Sequence, residues 1–183
     1  TEQRAPVAYL GGSEGAALLT SSGILHQVAT TLPATGLAVI GADGLIDDAA
    51  LEKFLDAGNK VLFLPRRNEV LPLGVRLEKK AQHAGSIAIP NWASCRGLLP
   101  GELRRRVDGE AWIVSTGPAT VDADGLLAEL RRKEGVAIFF QADVAGLNAD
   151  VKTYNRLTRW RWTRALAQVA ANLGAECDAD ARF

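Results

Sequence analysis

Alternation of apolar runs with helical patterns predicts an α/β fold, a three-layer sandwich around a mainly parallel central sheet. Two observations carry this. Six short runs rich in β-branched or aromatic residues are bounded by turn signals: Val7–Leu10, Leu37–Ile40, Val61–Leu64, Ile87–Ile89, Trp112–Val114 and Val136–Phe140. These runs are continuously apolar, as suits parallel strands covered on both faces, and helical patterns separate several of them. A sheet of five or six strands follows.

The elements justify themselves in order. After the first strand, Glu14–Val28 reads as helix, interrupted near Ser21-Ser22-Gly23. After the second, Asp47–Ala57 reads as helix, with Asp47 or Asp48 as N-cap, Gly58 as C-cap, and Leu51, Phe54 and Leu55 as its apolar face. The stretch from Asn68 to Arg106 holds Pro72, Pro90 and Pro100, so loops, short helices and an edge strand are expected there. Asp122–Lys133 reads as a helix with Leu126, Leu127 and Leu130 on its face. The last helix runs from about Tyr154 to Leu173. Its Trp162, Leu166, Val169 and Leu173 recur at i, i+4, i+7 and i+11, and Gly174 stops it. Trp160 falls roughly 200° from Trp162 and belongs to another face.

Composition narrows the function classes. The 183 residues fit one domain, 48% of them are hydrophobic, and formal net charge is zero. A neutral chain argues against a nucleic-acid partner, which demands a basic excess or a basic face. No apolar run approaches the ~20 residues that span a bilayer, so no membrane partner is expected. Two cysteines, Cys95 and Cys177, are too few for a disulfide framework or a cysteine-rich zinc site; a single bridge between them stays open. With only His26 and His83 besides, neither metal nor cofactor is expected. The chain has no methionine, position 1 included, so we expect a processed product or a piece of a larger protein.

Candidate chemistry is sparse. Gly11-Gly12-Ser13-Glu14-Gly15 opens a helix after a strand, but its spacing is neither the dinucleotide fingerprint nor a Walker loop, and Glu14 repels phosphate. A tight turn with Ser13 as cap is the better reading. Cys95 has no histidine near in sequence and no Gly-x-Cys-x-Gly elbow, which favours a structural thiol. Asp43, Asp47 and Asp48 suit turns and caps, Arg104-Arg105-Arg106 and Arg131-Arg132-Lys133 solvated faces or loop ends. Past the strand Val136–Phe140 stand Gln141 and Asp143, an amide and a carboxylate where α/β folds place their chemistry. Arg156, Arg159, Arg161 and Arg164 surround Trp160 and Trp162, a pattern for structural packing or an interdomain contact.

Three segments together resemble a known family. They are Leu37–Leu64, with the Asp47–Gly58 stretch; Gly97-Leu98-Leu99-Pro100-Gly101-Glu102-Leu103-Arg104; and Gly135–Asp143 with Thr158–Arg164 and Ala171–Ala175. The pattern is similar to the glutamine-amidotransferase-like domains, of the flavodoxin-like class, in large bacterial glycoside hydrolases of the β-galactosidase kind, family 2-type enzymes included. Active amidotransferases of this class use a cysteine elbow and a late His-x-Glu. Here the elbow position corresponds to about Leu64-Pro65-Arg66-Arg67, which lacks cysteine, and Gln141-Ala142-Asp143 falls where His-x-Glu would lie. The resemblance therefore implies a domain without catalytic residues, in a parent chain with a glycosidase module elsewhere, and allows a periplasmic or secreted location.

Three readings follow. The first is a non-catalytic accessory domain contacting the rest of the parent glycosidase chain or a homo-oligomer partner, through Arg156, Trp160 and Arg164. The second is a small-ligand or carbohydrate-binding module using the strand-end crevice, with Arg66, Asn68, Asn91, Gln141 and Asp143 as its polar groups. The third is an atypical hydrolase or amidotransferase dependent on Cys95.

Overall fold

The structure, a computed structural model, describes residues 6–122, 124–147 and 152–178. Along the chain run β1 (Val7–Leu10), α1 (Ser13–Ser21), β2 (His26–Val28), β3 (Leu37–Ile40), α2 (Asp48–Asp56), β4 (Lys60–Phe63), β5 (Arg76–Gln82), β6 (Gly109–Thr116), β7 (Thr120–Val121), β8 (Leu127–Arg132), β9 (Gly135–Phe140) and α3 (Asn155–Leu173). Short 3-10 turns lie at Pro72–Gly74 and Ala93–Cys95.

The main sheet has seven strands in the order β2-β1-β3-β4-β9-β8-β7. The first five are parallel, and β8 and β7 extend the sheet antiparallel. The fold is thus α/β with a mixed, mostly parallel sheet. Successive strand side chains point to opposite faces, and both faces are covered. Val39, Leu62 and Ile138 pack with Leu19 of α1 and with Trp162, Leu166, Val169 and Leu173 of α3. Ile40, Val61, Phe63 and Phe139 pack with Leu51, Phe54 and Leu55 of α2 and with Leu77 and Val114 of the β5–β6 pair. Phe63 and Phe139, register partners on β4 and β9, stack with centroids 4.6 Å apart. Each such ring taken out of water stabilises by ~1.5–3 kcal/mol.

Several expectations need correction. The helix expected over Asp122–Lys133 is instead the turn into β8 and β8 itself, antiparallel to β9 with Ala128 opposite Phe139 and Leu130 opposite Ala137; Ala123 lies outside the described residues. Turn chemistry overrides the helical spacing of the leucines. Gly125 sits at φ +71, where an added Cβ would meet the carbonyl of Val114 at 2.7 Å, and the Asp122 carboxylate accepts the Leu127 N–H. At the other end Lys133 takes φ +50 in a two-residue turn between the paired Arg132 and Gly135. The Glu14–Val28 helix stops at Ser21; Gly23, at φ +67, turns the chain into the edge strand β2.

Ile87–Ile89 forms no strand. Ile87 is buried, but the edge strand of this region is β5, paired antiparallel with β6 in a two-stranded sheet of its own. Trp112–Val114 lies in β6 and so outside the main sheet. Asp47, not Asp48, caps α2 by accepting the Ala50 N–H, and Gly58 follows the Ala57 cap at φ +84. Ser13 does not cap α1: Gly12 holds that position, and its N–H goes to Asp43. Arg131, Arg132 and Lys133 are not merely solvated. Arg131 pairs with Glu129, and Arg132 and Lys133 both pair with Asp56, tying the β8–β9 turn to α2. Arg105 is half-buried, with its guanidinium 5.7 Å from the centroid of the Trp162 ring. In α3 the expected stripe holds: Trp162, Leu166, Val169 and Leu173 are buried, and Gly174 ends the helix at φ +108.

Candidate functional site

Parallel β1, β3, β4 and β9 end at one edge of the sheet, and their connections meet there. From β1 the chain crosses to β2 on one side and from β2 to β3 on the other, so the order reverses between β1 and β3. Such reversals open a crevice where α/β folds bind ligands. Here the crevice is fastened from within. Asp43, after β3, accepts the Gly12 N–H at 2.9 Å and puts a carboxylate at the start of α1, where an anion would otherwise sit. The buried Tyr9 hydroxyl donates to the Gly12 carbonyl at 2.9 Å and fills the space between the turns; a Cβ on Gly15 or Gly41 would overlap it. Burial, then Asp43, then Glu14 push the Tyr9 phenol up to about 12. A nucleotide or phosphate site is excluded at this turn by the chain's own carboxylate.

Next to it Arg66 and Arg67 follow β4, and Gln141 and Asp143 follow β9. Gln141 is buried and clasps the neighbouring strand end: its Oε1 accepts the Arg66 N–H, and its Nε2 donates to the carbonyls of Arg66 and Trp112. Arg66 is 5% exposed and donates from one Nη to the carbonyls of Gly41 and Gly44. Arg67 and Asp143 form a two-bond ion pair through Nε and Nη2, at 3.1 and 2.8 Å.

That ion pair borders two clefts. The smaller, 250 Å³, is lined by Glu14, Asp43, Leu64 and Asn68 besides the pair. The larger, 390 Å³, reaches under β5 and β6 to α3; Arg66, Lys79, Arg105, Glu110, Trp112 and Trp162 line it. Two other hollows are bigger, 490 Å³ at the amino ends of the strands and 660 Å³ beside β5 and β7, but neither lies at the strand ends that carry chemistry. Of the residues that the sequence offers as polar ligands, Arg66, Gln141 and Asp143 meet at the larger cleft, and Asn68 lies at the smaller. Asn91 is exposed on the segment before Ala93–Cys95 and lines neither. The sequence reading missed Lys79, Arg105, Glu110 and Trp112, which the β5–β6 pair and the segment before it bring back over the strand ends.

Among the described residues no serine, cysteine or histidine lines the larger cleft, and its carboxylates Glu110 and Asp143 are ion-paired to Lys79 and Arg67. His26 stands on β2 edge-on to Tyr9, and the exposed His83 pairs with Asp108. Cys95 is buried and unbridged, so it forms no disulfide with Cys177. Burial pushes its thiol up to about 11; the hydrogen bond with Ser94 opposes this, and the charges of Glu129 and Asp122 add to the rise. Asp47 and Asp48 are taken by the Ala50 and Leu73 N–H groups, and no metal-ligating cluster exists among the described residues. Nor, among those residues, is any helix long and apolar enough to cross a membrane.

On α3 the exposed face is separate from the cleft. Trp160 is 38% exposed, with the Arg164 guanidinium 5.1 Å from its ring centroid and Arg164 paired to Glu102 at 3.4 Å. Tyr154 and Leu157 are exposed beside it in sequence, as is Arg156, while Arg161 donates to the Arg104 carbonyl.

No family model matches the chain, and no curated protein matches its sequence. Solved structures share its fold. The exo-beta-1,4-mannosidase Op5Man5 from Opitutaceae bacterium strain TAV5 superposes with a TM-score of 0.52 at 15% identity, over 96% of this chain and 37% of that one. The beta-galactosidase from Rahnella sp. R3 superposes with a TM-score of 0.51 at 12% identity, over 91% of this chain and 31% of that one. The chain spans about a third of the length of these structures. At such identities the likeness is one of fold, and its neighbours in fold are glycoside hydrolases.

Proposed function

We propose that the chain is a non-catalytic accessory domain of a glycoside hydrolase, serving interdomain packing or oligomer contacts. One observation carries the reading: the fold of almost the whole chain recurs as about a third of two longer glycosidases. The strand order β2-β1-β3-β4-β9 supports the flavodoxin-like, glutamine-amidotransferase-like assignment. In that frame Leu64–Arg67 occupies the elbow without a cysteine, and Gln141 spends its amide on the Arg66 backbone and the Trp112 carbonyl rather than acting as a base. The raised pKa and burial of Cys95 speak against the Cys-dependent reading.

The contact surface in this proposal is the outer face of α3, with Arg156, Trp160 and Arg164. Tryptophan and arginine dominate the energetics of many interfaces. Two experiments test the proposal. The purified chain turns over neither glutamine nor aryl glycosides; turnover abolished by Cys95→Ala or Asp143→Asn overturns the non-catalytic role. Trp160→Ala in the full-length parent shifts its assembly state in light scattering; an unchanged assembly removes the contact role from this face.

A further inference from the structure

We propose that the larger strand-end cleft binds a small anion of monosaccharide size, a sugar bearing a carboxylate or phosphate group. This goes beyond the accessory role and does not depend on it. The argument starts from uncompensated charge. Arg66 is 95% buried by its 5% exposure, yet no carboxylate lies within ion-pair distance of it among the described residues. Its Nε has no hydrogen-bond partner. The Asp43 carboxylate acts on Arg66 only from beyond ion-pair distance, and its effect is smaller than the burial that opposes it. A buried cation without a close counter-ion is costly.

The same cleft repeats the pattern. Arg105 lies over the Trp162 ring and donates to the Glu110 carbonyl; among the described residues no carboxylate is within ion-pair distance of it, and Asp108 acts on it only from farther away. Trp162 is 2% exposed, and its Nε1, a donor only, has no partner. At the rim Lys79 and Arg67 are already neutralised by Glu110 and Asp143. Among the described residues that line the cleft, four cations thus face two carboxylates, and the two without an ion pair are the two most removed from water. A ligand's charge acts on them through low-dielectric walls without touching the shielded Arg66 Nε or Trp162 Nε1. Guanidinium groups suit carboxylate and phosphate oxygens. The 390 Å³ volume falls within the range of small-ligand sites, and the half-buried Trp112 offers an apolar wall to a sugar ring.

Calorimetric titration of the chain with glucuronate, glucose 6-phosphate and glucose tests the proposal. At least one of the two anions binds with millimolar affinity or better, and glucose binds about tenfold more weakly or not at all. Binding of glucuronate alone assigns a carboxylate ligand, binding of glucose 6-phosphate alone a phosphate, and binding of both their shared charge. Arg66→Gln abolishes binding. Should that variant fail to fold, two rim variants decide: Lys79→Ala weakens binding, and Glu110→Gln strengthens it. Lys80→Ala, the exposed neighbour on β5 that lies outside the cleft, leaves it unchanged. The proposal is overturned if neither anion binds, if glucose binds as tightly, or if Lys79→Ala and Lys80→Ala weaken binding equally.

Discussion

Two regions sit side by side on one edge of the sheet and have opposite polar bookkeeping. Between β1 and β3 the Asp43 carboxylate takes the Gly12 N–H, the Tyr9 hydroxyl takes the Gly12 carbonyl, and Arg66 takes the carbonyls of Gly41 and Gly44. Between β4, β9 and the β5–β6 pair, the Nε of Arg66 and the Nε1 of Trp162 go without partners. Arg66 belongs to both regions: one Nη fastens the first, and its guanidinium, without an ion pair among the described residues, lines the second. The two regions share a position at the strand edge and differ in the polar groups left unsatisfied; a buried donor without a partner costs ~1–3 kcal/mol, and folded proteins leave few of them.

The packing beneath both regions offers the largest test. Leu166 is fully buried in the cluster that also holds Tyr9, Leu64 and Trp162. Leu166→Ala is expected to destabilise the chain by ~2–5 kcal/mol in urea denaturation. A loss well below that range means that α3 is not the common floor of the two regions, and the comparison breaks.

A second test asks whether an unsatisfied buried group has a measurable cost elsewhere in the molecule. The Asp122 Oδ2 is buried without a partner, and burial, outweighing hydrogen bonds from the Leu127, Gly125 and Leu126 N–H groups, raises its carboxyl from 3.8 to about 6. The folded state then holds a proton between these two values that the unfolded state has released. Stability falls as pH rises through that window, and the full penalty is present above it. Asp122→Asn removes the charge, so the variant gains on the wild type by ~1–3 kcal/mol between pH 4 and pH 8. Denaturation curves at both pH values measure this; a gain that does not change with pH means that Asp122 finds compensation in the folded chain.

The sheet and the residues at its strand ends are more legible in the sequence than the pair that folds back over them, for a physical reason. Residues of β1, β3, β4 and β9 are buried on both faces and read as unbroken apolar runs, and α3 shows its stripe at helical spacing. The residues at the carboxyl ends of those strands, Arg66, Gln141 and Asp143, follow directly. By contrast, Lys79, Arg105, Glu110 and Trp112 reach the cleft through a two-stranded pair that folds back over the sheet, a long-range placement with no local signature. The misread β8 has a local one. Leu126, Leu127 and Leu130 fit a helix face, but Asp124-Gly125 before them and Lys133-Glu134-Gly135 after them leave room only for a short strand between two turns. Ile87 was right as core and wrong as strand, since burial does not require a hydrogen-bonded neighbour.

The smallest effect tests the fastening itself. Asp43 is exposed at the surface, yet its Oδ1 is the acceptor for the Gly12 N–H across 31 residues of sequence. Asp43→Ala is expected to cost ~0.5–1.5 kcal/mol, the worth of one hydrogen bond that water partly replaces. A second readout separates this contact from general surface damage. Asp43 and Glu14 both add to the burial that raises the Tyr9 phenol, so removing Asp43 lowers the Tyr9 pKa from about 12 while leaving Tyr9 buried. Ultraviolet titration of tyrosinate absorbance follows that shift, with Tyr9→Phe identifying the Tyr9 signal. A Tyr9 pKa that stays put in Asp43→Ala would mean that the carboxylate does not sit over the turn. The start of α1 would then be open to an outside anion, and the two regions would differ less than their hydrogen bonds indicate.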